Sequence, residues 1–202
     1  FTHYLHGVDN NVENDAKAWV VRENDTQEEP TAYKEYPNPE AKPVTFYLNA
    51  GAPKTGSLTT NNTNSEEKET LVDNYSFSGE ALAQADYTNH RLIYVSPILK
   101  EDVHISGLAS ITIKAASNKP AVNLSVWLVS LPWNNSRSTK ITDNIITRGW
   151  ADLQNYKSLT NSKPLNPGKF YEMTFDLQPD DQIIKKGQQI GLMIFSSDSN
   201  YT

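Results

Sequence analysis

Apolar and polar residues alternate with period two through most of the second half of this chain. Val103 and Ile105 alternate with His104 and Ser106 up to Gly107; Ile111, Ile113 and Ala115 alternate with Thr112 and Lys114. Val122, Leu124, Val126 and Leu128 form a third such row, with Trp127 on its polar phase, and Tyr171, Met173, Phe175 and Leu177 form a fourth. Leu92 to Val95 and Ile190 to Ile194 are denser apolar runs, the latter reading as a central strand. Alternation over so many segments predicts antiparallel sheets with one buried face each. The turn signals between them, Asn118-Lys119-Pro120, Asn166-Pro167-Gly168 and Lys185-Lys186-Gly187, fit a β-sandwich.

The first half is less regular. Phe1, Leu5 and Val8 share one helical face, and Gly7 stands where a glycine ends a helix. A helix so close to the first residue reads as a remnant of something longer. Asp9 to Asp15 then reads as turn and linker. Ala18 to Val21 and Pro43 to Leu48 predict two further strands, on either side of a loop punctuated by Pro30, Pro37 and Pro39. Residues 61–90 show no period and predict a long surface loop, and Asp180-Asp181 after Pro179 predicts a turn. Only Ser196 to Thr202 follow the last strand, so the sandwich is expected to lack its final strand.

Composition limits the function classes. The 202 residues carry a net charge of −6, unevenly spread: residues 1–80 hold 14 acidic against 6 basic residues, and residues 81–202 hold 10 against 12. No basic stripe suits nucleic acid, and no run of about 18 apolar residues suits a membrane span. The chain has no cysteine, which removes disulfides, thiolate metal sites and a cysteine nucleophile.

Candidate chemistry is thin. No serine stands between glycines in the Gly-x-Ser-x-Gly elbow of an α/β-hydrolase. The histidines, His3, His6, His90 and His104, lack metal-ligand spacing, and neither a metal nor a cofactor is expected. The carboxylates Glu101-Asp102 and Asp180-Asp181 are adjacent in sequence and would point to opposite strand faces. Trp127, Trp133 and Trp150 raise the question of sugar stacking, against the plainer reading that the rings cover a core.

Several segments carry a family resemblance when taken in order. Leu92, Tyr94, Ser96, Leu99, Asp102, Ile105 and Gly107 form one motif; Ile146, Arg148, Gly149 and Asp152 a second. Pro164-Leu165, Pro167-Gly168, Tyr171, Asp176-Leu177 and Pro179 form a third; Gly187, Ile190 and Ser196-Ser197-Asp198 a fourth. Phe1, Leu5, Gly7 and Asp9-Asn10 form one more at the start. Together they resemble the C-terminal domain of bacterial Xaa-Pro dipeptidyl-peptidases and of the related cocaine-esterase-like acyl hydrolases. The wording around residues 148–158 is closer to the peptidase branch.

The resemblance implies an all-β fold, a jelly-roll (galactose-binding-like) β-sandwich spanning residues 15–202. Residues 1–14 would be the end of an α/β-hydrolase domain and its linker. It implies a cytoplasmic serine exopeptidase as parent, releasing Xaa-Pro dipeptides from peptide N-termini, with the Ser-Asp-His triad upstream of Phe1 and no catalytic residue in this chain. The partners implied are the upstream hydrolase domain and peptide substrates, with no nucleic acid and no membrane; a homodimer is among the assemblies open to the parent. Trp133, Arg148, Trp150 and Tyr156 are the expected substrate-access rim, from loops at one edge. The readings kept beside this one are a carbohydrate-binding or adhesive module and the same domain of an acyl esterase.

Overall fold

A computed structural model of the protein describes residues 1–23, 29–62, 67–134 and 140–200. Its strands, in chain order, are β1 (Ala18–Val20), β2 (Thr31–Tyr33), β3 (Tyr47–Asn49), β4 (Gly56–Thr59), β5 (Arg91–Val95) and β6 (Val103–Gly107). They continue with β7 (Ser110–Ala115), β8 (Asn123–Leu131), β9 (Ile145–Asp152), β10 (Tyr171–Asp176), β11 (Asp180–Ile184) and β12 (Gln189–Phe195). Two short helices, α1 (Thr2–His6) and α2 (Gly79–Gln84), complete the regular structure with three single 3₁₀ turns.

One sheet dominates. Its order is β3-β4-β5-β12-β8-β9, and the densest apolar run, β12, lies in its interior between β5 and β8. The second layer is built from β6-β11 and β7-β10, which together read as one long antiparallel ribbon. The pairing is in step from Tyr171↔Ala115 to Asp176↔Ser110 and again from Asp180↔Gly107 to Ile184↔Val103. Between them, residues 177–179 face only 108 and 109, so one extra residue bends the ribbon. Two apolar clusters fill the space between layers: Val126, Leu192, Ile194, Leu92 and Leu58 meet Ile111, Ile113, Phe175 and Leu177. Ile146, Ile184 and Ile190 meet Val103, Ile105 and Leu128. The all-β sandwich expected from the alternation is therefore what the chain forms.

The bend is joined to the large sheet. Gln178 donates its backbone N–H to Arg148 O on edge strand β9 at 2.7 Å, and Thr147 Oγ1 donates to Gln178 O at 2.6 Å. Gly149 permits this approach, because a Cβ there would lie 2.4 Å from Leu177 Cδ2. Two of the sequence motifs, Arg148-Gly149 and Asp176-Leu177-x-Pro179, meet at this point.

Three expectations need correction. Residues 61–90 are not wholly a surface loop: α2 lies within them, begun by Ser78, whose Oγ accepts the Ala81 N–H at 3.2 Å; residues 63–66 lie outside the described part. Asp180-Asp181 opens a strand and not a turn, since Pro179 sits just outside the ladder, where a missing N–H costs nothing. Trp127 is not on a polar face. It is 1% exposed, because α2 covers the outer side of the sheet, with Leu82 and Ala83 packed in the same cluster as Ile93, Trp127, Met193 and Phe195.

At the start of the chain, α1 ends as expected at Gly7, with φ +67, and buries none of its residues. The end of the expected domain, residues 201–202, lies outside the described part.

Candidate functional site

The four expected rim residues fall into two groups. Cross-strand pairing sets Arg148 opposite Trp127 and Trp150 opposite Ser125, so both project on the outer face of the large sheet. Both stand on β9 and not on a loop. The Arg148 guanidinium lies 5.4 Å from the Trp127 ring, which meets Phe195 edge-on at 5.4 Å. Trp133 follows β8 and packs against the same cluster with Ile141 and Ile145. It leaves β8 at the opposite end from Ser125 and Trp150, roughly 20 Å along a strand at ~3.3 Å per residue. Tyr156 sits in a separate cluster, its ring 4.7 Å from that of Tyr171, near Leu153, Leu165 and Met173. Trp150 is 38% exposed and walls a shallow depression with Asn123, Ser125 and Asp152.

The α2 cover is fixed at both ends by polar groups that spacing alone does not reveal. At its start, buried Asp198 accepts the Gly79 N–H through Oδ1 at 3.2 Å. Gly79 has no room for a side chain, since a Cβ would lie 2.2 Å from the Trp127 ring. At its end, Arg91 is 3% exposed and donates only to backbone carbonyls. These are Leu82 O and Ala85 O at the end of α2, and Ala52 O, Pro53 O and Lys54 O in the facing turn. Carbonyls at a helix C-terminus attract a cation; burial pulls the guanidinium down from its usual value. The same turn is held from the other side by Glu69. Its Oε1 accepts the Gly51 and Ala52 N–H groups at 2.7 Å each, and its Oε2 accepts the Tyr94 hydroxyl at 2.6 Å. Burial, and then the hydrogen bond and charge of Glu69, push the Tyr94 phenol well above its ordinary range.

A second polar centre lies under β1. Asp181 accepts Arg22 Nε at 3.1 Å and binds His104 Nε2 at 2.8 Å, both through Oδ1, while Oδ2 accepts Ser106 Oγ at 2.6 Å. Arg22 Nη2 also donates to the Tyr33 hydroxyl at 2.6 Å. Burial alone would raise the Asp181 carboxyl; the hydrogen bonds from Ser106 and His104, the His104 charge and Arg22 outweigh it and hold it below its usual value. Its neighbour Asp180 is pushed up to about 6, by burial first and then by the Glu23 carboxylate. Serine, histidine and aspartate are thus together, but in an order that cannot activate a nucleophile. The Ser106 proton goes to the carboxylate, and His104 binds that carboxylate and not the hydroxyl. The centre ties β1, β6 and β11 together.

Among the described residues no group of three or more acidic or histidine side chains is placed to hold a metal ion, and no helix is long and apolar enough to cross a membrane. His3 and His90 bond to Val8 O and Val72 O. The arrangement suits support and packing, with exposed aromatic rings left for contact.

Residues 10–202 match the family described as the X-Pro dipeptidyl-peptidase C-terminal non-catalytic domain. A putative Xaa-Pro dipeptidyl-peptidase of Rhodopirellula baltica is 61% identical over 202 residues. One of Bacillus anthracis is 34% identical over 207. Each match covers the whole of this chain and 32% of the relative, so the chain spans about a third of their length. Among solved structures, a CocE/NonD family hydrolase from Staphylococcus aureus matches with a TM-score of 0.65 at 11% identity, over 96% of this chain and 36% of that one. An aminopeptidase from a marine sediment Thaumarchaeota archaeon matches with a TM-score of 0.63 at 14% identity, over 97% and 35%. At those identities the two structures share the fold.

Proposed function

Because this chain belongs to the family of X-Pro dipeptidyl-peptidase C-terminal non-catalytic domains, we propose that it serves a cytoplasmic bacterial serine exopeptidase that releases Xaa-Pro dipeptides from peptide N-termini. The observation that carries this reading is the family match over residues 10–202, with relatives three times as long that bear the peptidase name. In this reading the domain packs on an upstream α/β-hydrolase domain that supplies the Ser-Asp-His triad. Residues 1–14 belong to the end of that domain and its linker, which agrees with an α1 that buries nothing here. Residues 15–202 form the accessory sandwich.

The role is steric. A wall over a catalytic cleft admits slim peptide ends and helps exclude water. Of the four rim residues, Trp150, half-exposed beside Arg148, is best placed to face a neighbour, while Trp133 at the far end of β8 and Tyr156 in its own cluster would hold loops away from it. The test is deletion of residues 15–202 from the full-length protein, followed by kinetics on a chromogenic Xaa-Pro amide and on longer peptides. Activity should collapse, or its preference between short and large substrates should change. An unchanged catalytic profile would overturn the steric role, and a preference for aryl esters over Xaa-Pro amides would overturn the peptidase reading. Native mass measurement of the same protein decides whether the parent is a homodimer.

A further inference from the structure

The two-stranded sheet of β1 and β2 leaves an apolar side uncovered. Trp19 and Val21, two residues apart and so on the same side of the chain, are 64% and 60% exposed. With Val20, Tyr36 and Pro179 they wall a depression that Glu23, Asp180 and Asp181 also line. Two-stranded sheets are marginal alone, and this one is held from beneath. Arg22 binds Asp181, the Glu23 and Gln182 backbones pair, and the Tyr36 hydroxyl donates to Asp180 O at 3.0 Å. The support makes the apolar side a firm surface and leaves it open.

Charge narrows what can cover it. Asp181 is matched by Arg22 and His104, but neither Glu23 nor Asp180 has an ion pair among the described residues. Asp180 Oδ2 is buried with no hydrogen-bond partner. Burying two carboxylates further is costly unless a cation arrives with whatever buries them. Two thirds of the length of the relatives lies outside this domain, and the family places the domain C-terminal to that part. β1 is the first strand, so the depression is carried by the strand nearest in sequence to the preceding part of the protein.

We propose that the depression walled by Trp19, Val21 and Tyr36 is the docking surface for the upstream part of the parent protein, through an apolar segment that brings one basic side chain to Asp180 and Glu23. The inference rests on the proposed function for the identity of its partner and names the contact that reading leaves unspecified.

The test is hydroxyl-radical footprinting by mass spectrometry on the monomeric fraction of the full-length protein, with Trp19 labelling normalised to the same residue in denaturant. A covered Trp19 labels about sevenfold more slowly than its 64% exposure would give, as its accessible surface falls below a tenth. The Asp180→Lys variant should restore fast labelling, and the near-isosteric Asp180→Asn should move it the same way by less. Fast labelling of Trp19 in the native monomer overturns the proposal. So does protection seen only in a dimer, which would make the occupant a second copy, and so does protection that survives both substitutions. Xaa-Pro amide hydrolysis is measured on the same samples. An inactive protein with a protected Trp19 refutes the peptidase reading alone, and an active protein with an exposed Trp19 refutes the docking surface alone.

Discussion

Replacing Arg91 with methionine isolates what a buried cation without a carboxylate partner contributes. Methionine has a similar reach and removes every donor. Of the five carbonyls that Arg91 binds, four keep another donor: Ala52 O accepts Ile93 N–H at 3.0 Å, Leu82 O accepts Ala85 N–H at 3.4 Å, Pro53 O accepts Thr88 N–H at 3.4 Å and Lys54 O accepts the Thr55 hydroxyl at 2.7 Å. Ala85 O accepts from Arg91 alone among the described hydrogen bonds. At about 1–3 kcal/mol for a buried polar group left unsatisfied, that one carbonyl sets a cost of about 1–3 kcal/mol. The relief of taking a charge out of a buried site offsets part of it, so about 1.4 kcal/mol is expected. The loss should be local, because Arg91 joins α2 to the turn at residues 51–54 and not the two layers to each other. Hydrogen exchange read by mass spectrometry separates local from global opening. Peptides covering 50–55 and 79–91 should exchange about tenfold faster at ~1.4 kcal/mol per tenfold, with β10 and β11 unchanged. Acceleration below about threefold in those peptides would mean that water or other donors replace the guanidinium, and the account of Arg91 as the joint would fail.

Three further outcomes follow from the geometry. Asp181→Asn should cost about 3 kcal/mol by removing the buried charge that Arg22 and His104 both contact. Because the folded Asp181 carboxyl lies below its unfolded value, its stabilisation is full above about pH 4 and is lost as pH falls through the folded value. Acid unfolding followed by circular dichroism should therefore be shallower in the variant. Gly149→Ala should cost about 1–3 kcal/mol by driving a Cβ into Leu177, and adding Leu177→Ala should cost less than the two separate changes together, as a double-mutant cycle in urea would read. Ser78→Ala removes the α2 cap and should speed exchange in 79–84 by about fivefold, for a loss of about 1 kcal/mol.

The alternating strands were legible because each of β7 and β10 has one wet face, and their burial follows the alternation. β8 escaped this logic. Eight of its nine residues are shielded to some degree because α2 covers the second face, and a six-residue helix is too short to announce itself by period. Period-two spacing therefore places Trp127 on a polar phase that does not exist. The Asp181 centre was illegible for another reason. Its partners Arg22, His104 and Ser106 lie 159, 77 and 75 residues away in sequence; the β6-β11 register brings in the last two, and the Glu23–Gln182 bridge brings in Arg22. Arg148 and Gly149 were found through the family motif. What physics adds is the reason for the glycine, the close approach of Leu177. The rim role given to Trp133, Arg148, Trp150 and Tyr156 depends on a neighbouring domain and so had no local signature to read.

The bend in the β6–β7/β10–β11 ribbon makes chain length at residues 177–179 matter as much as residue identity. Strand residues face alternate sides, so removing one residue here would act like a frameshift confined to one strand. Ile184, now in the core, would turn outward, and the Asp181 carboxylate would turn toward Ile146 and Ile190. Substitution of Gln178 should be mild, since its contributions to β9 are made by the backbone. Its deletion should abolish the fold, so descendants of this domain should vary the letter at 178 and keep the count.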